Sequence, residues 1–404
     1  METKTIKRKI TALACGAALF TGLRQPVKAV EPDPGIVQGT ASDYIYIFDT
    51  ESGQVLSEKN SSERMYPASM TKIVTAIVAI EHLPDLNRKV QMNAKMLAGL
   101  ADANASVAGF SEEDVVSVED LLYGVALPSG ADAAYALAFT CSDTMSGFIS
   151  MMNDKAASLG LTGTHFTNCT GLHDDNHYST AHDMAILMAD CIKNDTFARI
   201  FSTKEWTTDP MTYYPSGIEL TSTTWGPAES LGVSLPGLSG SKTGFTYEAG
   251  HCLAWWADIN NMHLVGVNAH ADEDNMYGYG HLTDASSLLS RLHSYDKITI
   301  LEDGQPLHNM TIHYIDHDVP VQIQGADTII YDLPADRETV ITSTLPDEVD
   351  AGLKDQRVTG VITIERDGEI FLEEGIAVTV PKETRLIARL KMRWNELFSK
   401  KDKG

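Results

Sequence analysis

Apolar residues run from Ile73 to Ile80, broken only by Thr75, three residues behind Pro67-Ala68-Ser69. A run without a polar face predicts a helix buried on all sides, here opening at Ser69. Helical spacing recurs over residues 117–126 and 181–193, and a small-residue helix is predicted from Ala131 through Ala136. Strand patterns interleave with these helices. Tyr44-Ile45-Tyr46-Ile47-Phe48 is one, and Cys252-Leu253-Ala254-Trp255-Trp256-Ala257 reads as a buried one. From about Asp296 the period shortens to two in brief runs at 297–300, 311–314, 319–323 and 358–364, separated by turns such as Asp303-Gly304 and Asp367-Gly368. That is the pattern of a small all-β module.

The two ends differ from the middle. Residues 1–29 have a basic start (Lys4, Lys7, Arg8, Lys9), an apolar stretch from Ile10 to Leu23 and a small-residue step at Val27-Lys28-Ala29, which together read as an export signal. Cys15 alone does not make this a lipoprotein signal, because the apolar stretch before it is very short. At the other end Leu386, Leu390, Trp394, Leu397 and Phe398 fall on one helical face among Lys382, Arg385, Arg389, Lys391, Arg393, Lys400, Lys401 and Lys403. A basic amphipathic helix with Trp on its apolar face is the pattern of an interfacial membrane anchor; the competing reading is a terminal helix packed on its own domain. The division expected is therefore 1–29 signal, 30–295 mixed helix and strand, 296–380 all-β, and 381–404 amphipathic anchor. Behind the signal no stretch is apolar for long enough to span a bilayer. The formal charge of −24 argues against nucleic acid as a partner.

Three short motifs carry candidate chemistry, in a fixed order: Ser69-Met70-Thr71-Lys72, then Ser129-Gly130-Ala131, then Lys242-Thr243-Gly244. On a helix, residues three apart share a face, so the Lys72 amine would stand beside the Ser69 hydroxyl. Lysine can take a serine proton only if its pKa falls toward neutrality, through burial and a nearby positive charge that Lys242 could supply. Ser129, in a turn before a helix, could project a hydroxyl into the same cleft and relay a proton to a leaving amine. Lys242 and Thr243, on or beside an edge strand, could meet a carboxylate, and Gly244 would let backbone approach substrate. Each motif alone is a weak signal; three in order describe a serine acyltransferase site.

These motifs, together with Thr164-His165-Phe166-Thr167-Asn168-Cys169-Thr170-Gly171-Leu172, His177-Tyr178-Ser179-Thr180-Ala181-His182-Asp183-Met184-Ala185 and Lys242-Thr243-Gly244-Phe245-Thr246 with Ala249-Gly250, resemble the penicillin-binding D-alanyl-D-alanine carboxypeptidases, relatives of the class A β-lactamases. The resemblance runs from about Ala41 to the C-terminus. It implies an α/β (α+β) transpeptidase-like catalytic domain followed by a small all-β domain. It also implies Ser69 as the acylated nucleophile, Lys72 as its base and Ser129 as the proton relay. Lys242 and Thr243 would bind the terminal carboxylate, with Gly244 beside them, and the backbone N–H groups of Ser69 and Phe245 would form the oxyanion hole. The implied reaction removes the last D-alanine of the peptidoglycan stem pentapeptide, without metal or organic cofactor, and β-lactams would be covalent inhibitors.

The chain departs from that family's pattern at several points. Ala131 stands where the second motif usually ends in Asn, and His182 where an Arg is common. No Lys or Arg occurs between Lys242 and Arg291, so an arginine that often helps hold the carboxylate is absent. His182 and His281 are the histidines weighed as substitutes at acid pH, and neither is adopted. The alternatives are a weakly active or non-catalytic wall-binding protein, for which Ala131 argues, and a β-lactamase, against which the lack of any Glu between Ser129 and Lys204 argues. Cys141, Cys169, Cys191 and Cys252 allow three pairings or none. The cluster of His165, His173, His177 and His182 with Asp174, Asp175 and Asp183 raises a metallopeptidase reading, but fits no zinc signature.

Overall fold

A computed structural model describes residues 32–272, 277–301, 305–315, 317–324, 328–332, 339–366, 368–385 and 389–393. The export signal read over residues 1–29, and Leu386, Trp394, Leu397 and Phe398 of the tail, lie outside them; residues 389–393 are helical. The described chain divides into a unit ending at Asp296 and a second beginning at Lys297. Among the described residues no helix is long and apolar enough to cross a membrane.

The first unit is built on five antiparallel strands: β1 Tyr44–Asp49, β2 Val55–Lys59, β3 Leu238–Thr246, β4 Gly250–Ile259 and β5 Met262–Ala271. Their order is β2-β1-β5-β4-β3, so the late meander closes against the early hairpin and β3 is left at the edge. Alternate residues serve two layers, as the strand period requires. Tyr46, Phe48, Ala254, Trp256, Val265 and Val267 join the main core with the helices. Ile45, Ile47, Leu253 and Trp255 are equally buried but belong to the other face, which the helix Gly280–Leu292 packs against.

The helices of the main core include α1 Lys72–His82, α2 Val118–Ala126, α3 Ala131–Cys141, α4 Met145–Ser158 and α5 Ala181–Cys191. α1 packs against the other four and against the helix Asp195–Ser202, and every residue from Lys72 to Ile80 is buried. That is the structural reason its sequence has no polar face. Three starts among α1–α5 are fixed by side chains, and at α4 Thr144 Oγ1 accepts from Gly147 N at 3.1 Å. Ser117 Oγ accepts from Asp120 N at 3.0 Å and donates to the Asp120 carboxylate at 2.7 Å, and Thr180 Oγ1 accepts from Asp183 N at 2.9 Å. One expectation is corrected: α1 opens at Lys72, not at Ser69. Residues Ala68–Thr71 form a single 3-10 turn, and Ala68, at φ +44°, has the left-handed backbone that bars a regular helix there.

The second unit is all-β in its described sheets. Pro306–Tyr314 pairs with His317–Gln324 and, in parallel, with Glu348–Asp350, while Gln356–Arg366 is flanked by Thr339–Ser343 and Glu369–Val380. Its core comes from period-two sets such as Met310 and Ile312, Val321 and Ile323, Ile362 and Ile364, and Ile376, Val378 and Val380.

Candidate active site

Ser69 sits half-buried on the 3-10 turn, and Lys72 Nζ lies 3.0 Å from its Oγ. Lys72 is 2% exposed, and its amine also donates to the backbone carbonyl of Thr170 at 2.8 Å. Burial pushes its pKa down to about 8, against smaller upward pulls from Cys169 and Asp132. The charge of Lys242, expected to lower Lys72, is not what does so. Coupling between the two lysines is felt at Lys242, held well below the usual lysine range first by burial and then by Lys72. A neutral Lys72 offers a lone pair to the Ser69 proton while Thr170 O holds one of its N–H bonds.

The second and third motifs meet through one hydrogen bond. Ser129, at φ +61° in the turn before α3, is buried, and Lys242 Nζ donates to its Oγ at 3.0 Å and to Thr243 O at 2.9 Å. Lys242 and Thr243 lie on edge strand β3, and Thr243 Oγ1 is 2.6 Å from Thr223 Oγ1. Gly244 has a reason beyond substrate approach. A Cβ there would stand 3.0 Å from both Pro67 O and Ser69 N, so β3 passes directly over the Ser69 turn. Phe245 is half-buried, its ring 4.3 Å from that of His251. Lys72 with the half-buried Ser69 and Lys242 with the buried Ser129 thus form two amine–hydroxyl pairs.

Four supporting groups escaped the sequence reading. Thr170 acts through its carbonyl, set by an Asn168 side chain whose Oδ1 accepts from Thr170 N, Thr170 Oγ1 and Gly171 N and whose Nδ2 donates to Leu172 O. Thr75 Oγ1 donates to Cys169 O at 2.7 Å, tying this loop to α1. Asp132, buried at the start of α3, accepts from the backbone N–H groups of Ala108, Gly109 and Phe110 and pins that loop beside the second motif. His177 Nδ1 accepts from Thr167 N at 3.0 Å, which leaves Nε2 to donate to Thr71 Oγ1 at 2.7 Å. Burial holds His177 down to about 4, against Asp174, so it braces the Ser69 turn as a neutral ring. Asn168 and Gly171 were visible only within the resembling stretch, with no role attached; Asp132 read as a helix residue.

The departures also acquire surroundings. Ala131 is buried, and its N–H donates to Ser106 O at 2.7 Å; its methyl offers no donor to the lysines. His281 is buried and driven down to about 3 by burial and then by His251, so it carries no charge for a carboxylate. His182 pairs with Asp183 at 3.0 Å and meets the Tyr46 ring edge-on. His165 engages Asn176 O, and His173 lies between Asp175 and Glu248. Among the described residues no three such groups are arranged to hold a metal ion. Cys141, Cys169, Cys191 and Cys252 are all free thiols.

Residues 27–273 match a family model described as D-alanyl-D-alanine carboxypeptidase. The chain is 27% identical over 348 residues to the D-alanyl-D-alanine carboxypeptidase DacF of Bacillus subtilis, covering 82% of this chain and 83% of the relative. It is 32% identical over 267 residues to a D-alanyl-D-alanine carboxypeptidase of a Streptomyces strain, covering 64% of this chain and 89% of that one. Among solved structures, penicillin binding protein 5 of Haemophilus influenzae superposes with a TM-score of 0.61 at 26% identity, over 85% of this chain and 97% of the other.

Proposed function

The chain belongs to the D-alanyl-D-alanine carboxypeptidase family, and from that membership we propose that Ser69 is the nucleophile with which it removes the terminal D-alanine of peptidoglycan stem pentapeptides. Lys72 takes the Ser69 proton as Oγ attacks the carbonyl of the penultimate D-alanine. The backbone N–H groups of Ser69 and Phe245 receive the oxyanion. Ser129, bonded to Lys242, passes a proton to the leaving amine, and D-alanine departs from an acyl-enzyme that water then hydrolyses. Lys242 and Thr243 hold the terminal carboxylate. The observation that carries this reading is the buried Lys72 amine 3.0 Å from Ser69 Oγ, with its pKa lowered to about 8. β-Lactams acylate the same serine and inhibit.

An exported enzyme at the outer face of the cell membrane fits a polymeric wall substrate. The signal-like residues 1–29 and the basic amphipathic tail support that location. Ala131 favours one second reading, a weakly active wall-binding protein, because the family's usual amide donor is missing.

The deciding experiment is D-alanine release from a pentapeptide ending in Lys-D-Ala-D-Ala, with Ser69→Ala as control. Release and penicillin attachment that both require Ser69 are the expected result. Penicillin attachment without release would favour the binding role, and attachment that persists in Ser69→Ala would place the nucleophile elsewhere.

A further inference from the structure

Thr223 bridges the second and third motifs. Its backbone N–H donates to Leu127 O at 3.1 Å, two residues before Ser129, and its hydroxyl lies 2.6 Å from that of Thr243. Its neighbour Thr224 does the same one step along, accepting from Ser241 Oγ at 2.9 Å. Ser241 and Thr243 are two apart on β3 and so share a face, against which Thr223 and Thr224 lay a matching pair of hydroxyls. The Thr224 pair is buried on both sides, whereas Thr223 is only half-buried.

A hydroxyl has one proton, so of two hydroxyls in a hydrogen bond one gives and the other accepts. Were Thr243 the donor to Thr223, only its lone pairs would face a substrate carboxylate, and these repel it. If Thr223 gives instead, the Thr243 proton is free. We propose that Thr223 is a positioning residue that donates to Thr243 and so turns the Thr243 proton toward the terminal carboxylate of the substrate, setting the preference for a free C-terminus. This rests on Thr243 as a carboxylate binder. The bound anion is the strongest acceptor in the chain Thr223 to Thr243 to carboxylate and polarises both bonds in that direction. The pair matters more here because residues 243–290 contain no Lys or Arg to share the load.

The test compares a pentapeptide ending in Lys-D-Ala-D-Ala as the free acid with the same peptide as its C-terminal amide. Inhibition constants come from competition against fluorescent-penicillin labelling of Ser69, which needs no turnover. Thr223→Val should weaken the acid about tenfold or more relative to the amide, the scale of one hydrogen bond to a charged group, and Thr223→Ser should restore the ratio. An equal shift on both peptides, no shift on either, or no rescue by serine would overturn the proposal. Thr243→Val separates the two layers of argument. If it alone discriminates acid from amide, Thr243 binds the carboxylate and Thr223 does not position it. If it too treats the peptides alike, the carboxylate reading itself fails.

Discussion

With its pKa at about 8, Lys72 is neutral in about a tenth of molecules at pH 7. If the neutral amine is the base, kcat/KM for the pentapeptide should rise about tenfold per pH unit below 8 and level off above it, because the protonated form predominates below its pKa and cannot accept from Ser69. A profile flat from pH 6 to 9 would exclude Lys72 as the base. Lys72→Arg should lose about a hundredfold or more at every pH in that range, since guanidinium does not deprotonate there. At this scale candidate side chains with chemistry of their own were legible: Ser69, Lys72, Ser129, Lys242 and Thr243 all stand in motifs, and Lys72 is hydrogen-bonded to Ser69 and Lys242 to Ser129, while Thr243 meets Thr223. Groups acting through backbone were not. The Thr170 carbonyl that holds Lys72 has the same composition at every residue, so no residue type announces it.

Among elements, the Ser69 turn is held from outside rather than by its own propensity. Gly171, at φ +82°, brings its loop so close that a Cβ would stand 1.8 Å from Ala68 O. Gly171→Ala combines that clash with a backbone region costly to L residues. It should lower stability by about 2 kcal/mol or more and slow penicillin acylation, read by thermal denaturation and labelling rate. An unchanged midpoint and rate would mean the loop yields freely. The sequence pattern located α1 and the buried β4, because full burial leaves an apolar run. It misplaced the start of α1 by three residues, because the 3-10 turn is imposed by the Gly171 loop and by β3, which reach it from about 100 and 170 residues away along the chain.

For the whole molecule, the division after Asp296 leaves every candidate site residue in the first unit. A chain ending at Asp296 should therefore still attach penicillin at Ser69, and deleting only residues 382–404 should move the protein from the membrane to the soluble fraction. Failure of the shorter chain to label, or an unchanged distribution without the tail, would refute the respective expectation. By itself the sequence determined the class of chemistry, several of the helices and strands and the change from mixed to all-β structure, because burial period and reactive residue types are local properties of a chain. Only the tertiary structure decided how the site is built. The pairing of Lys242 with Ser129, the bracing of Thr71 by His177, the pinning of residues 108–110 by Asp132 and the meeting of Thr223 with Thr243 are distance relations between remote segments. Burial, which brings Lys72 down to about 8, likewise exists only once α1 is enclosed by five other helices.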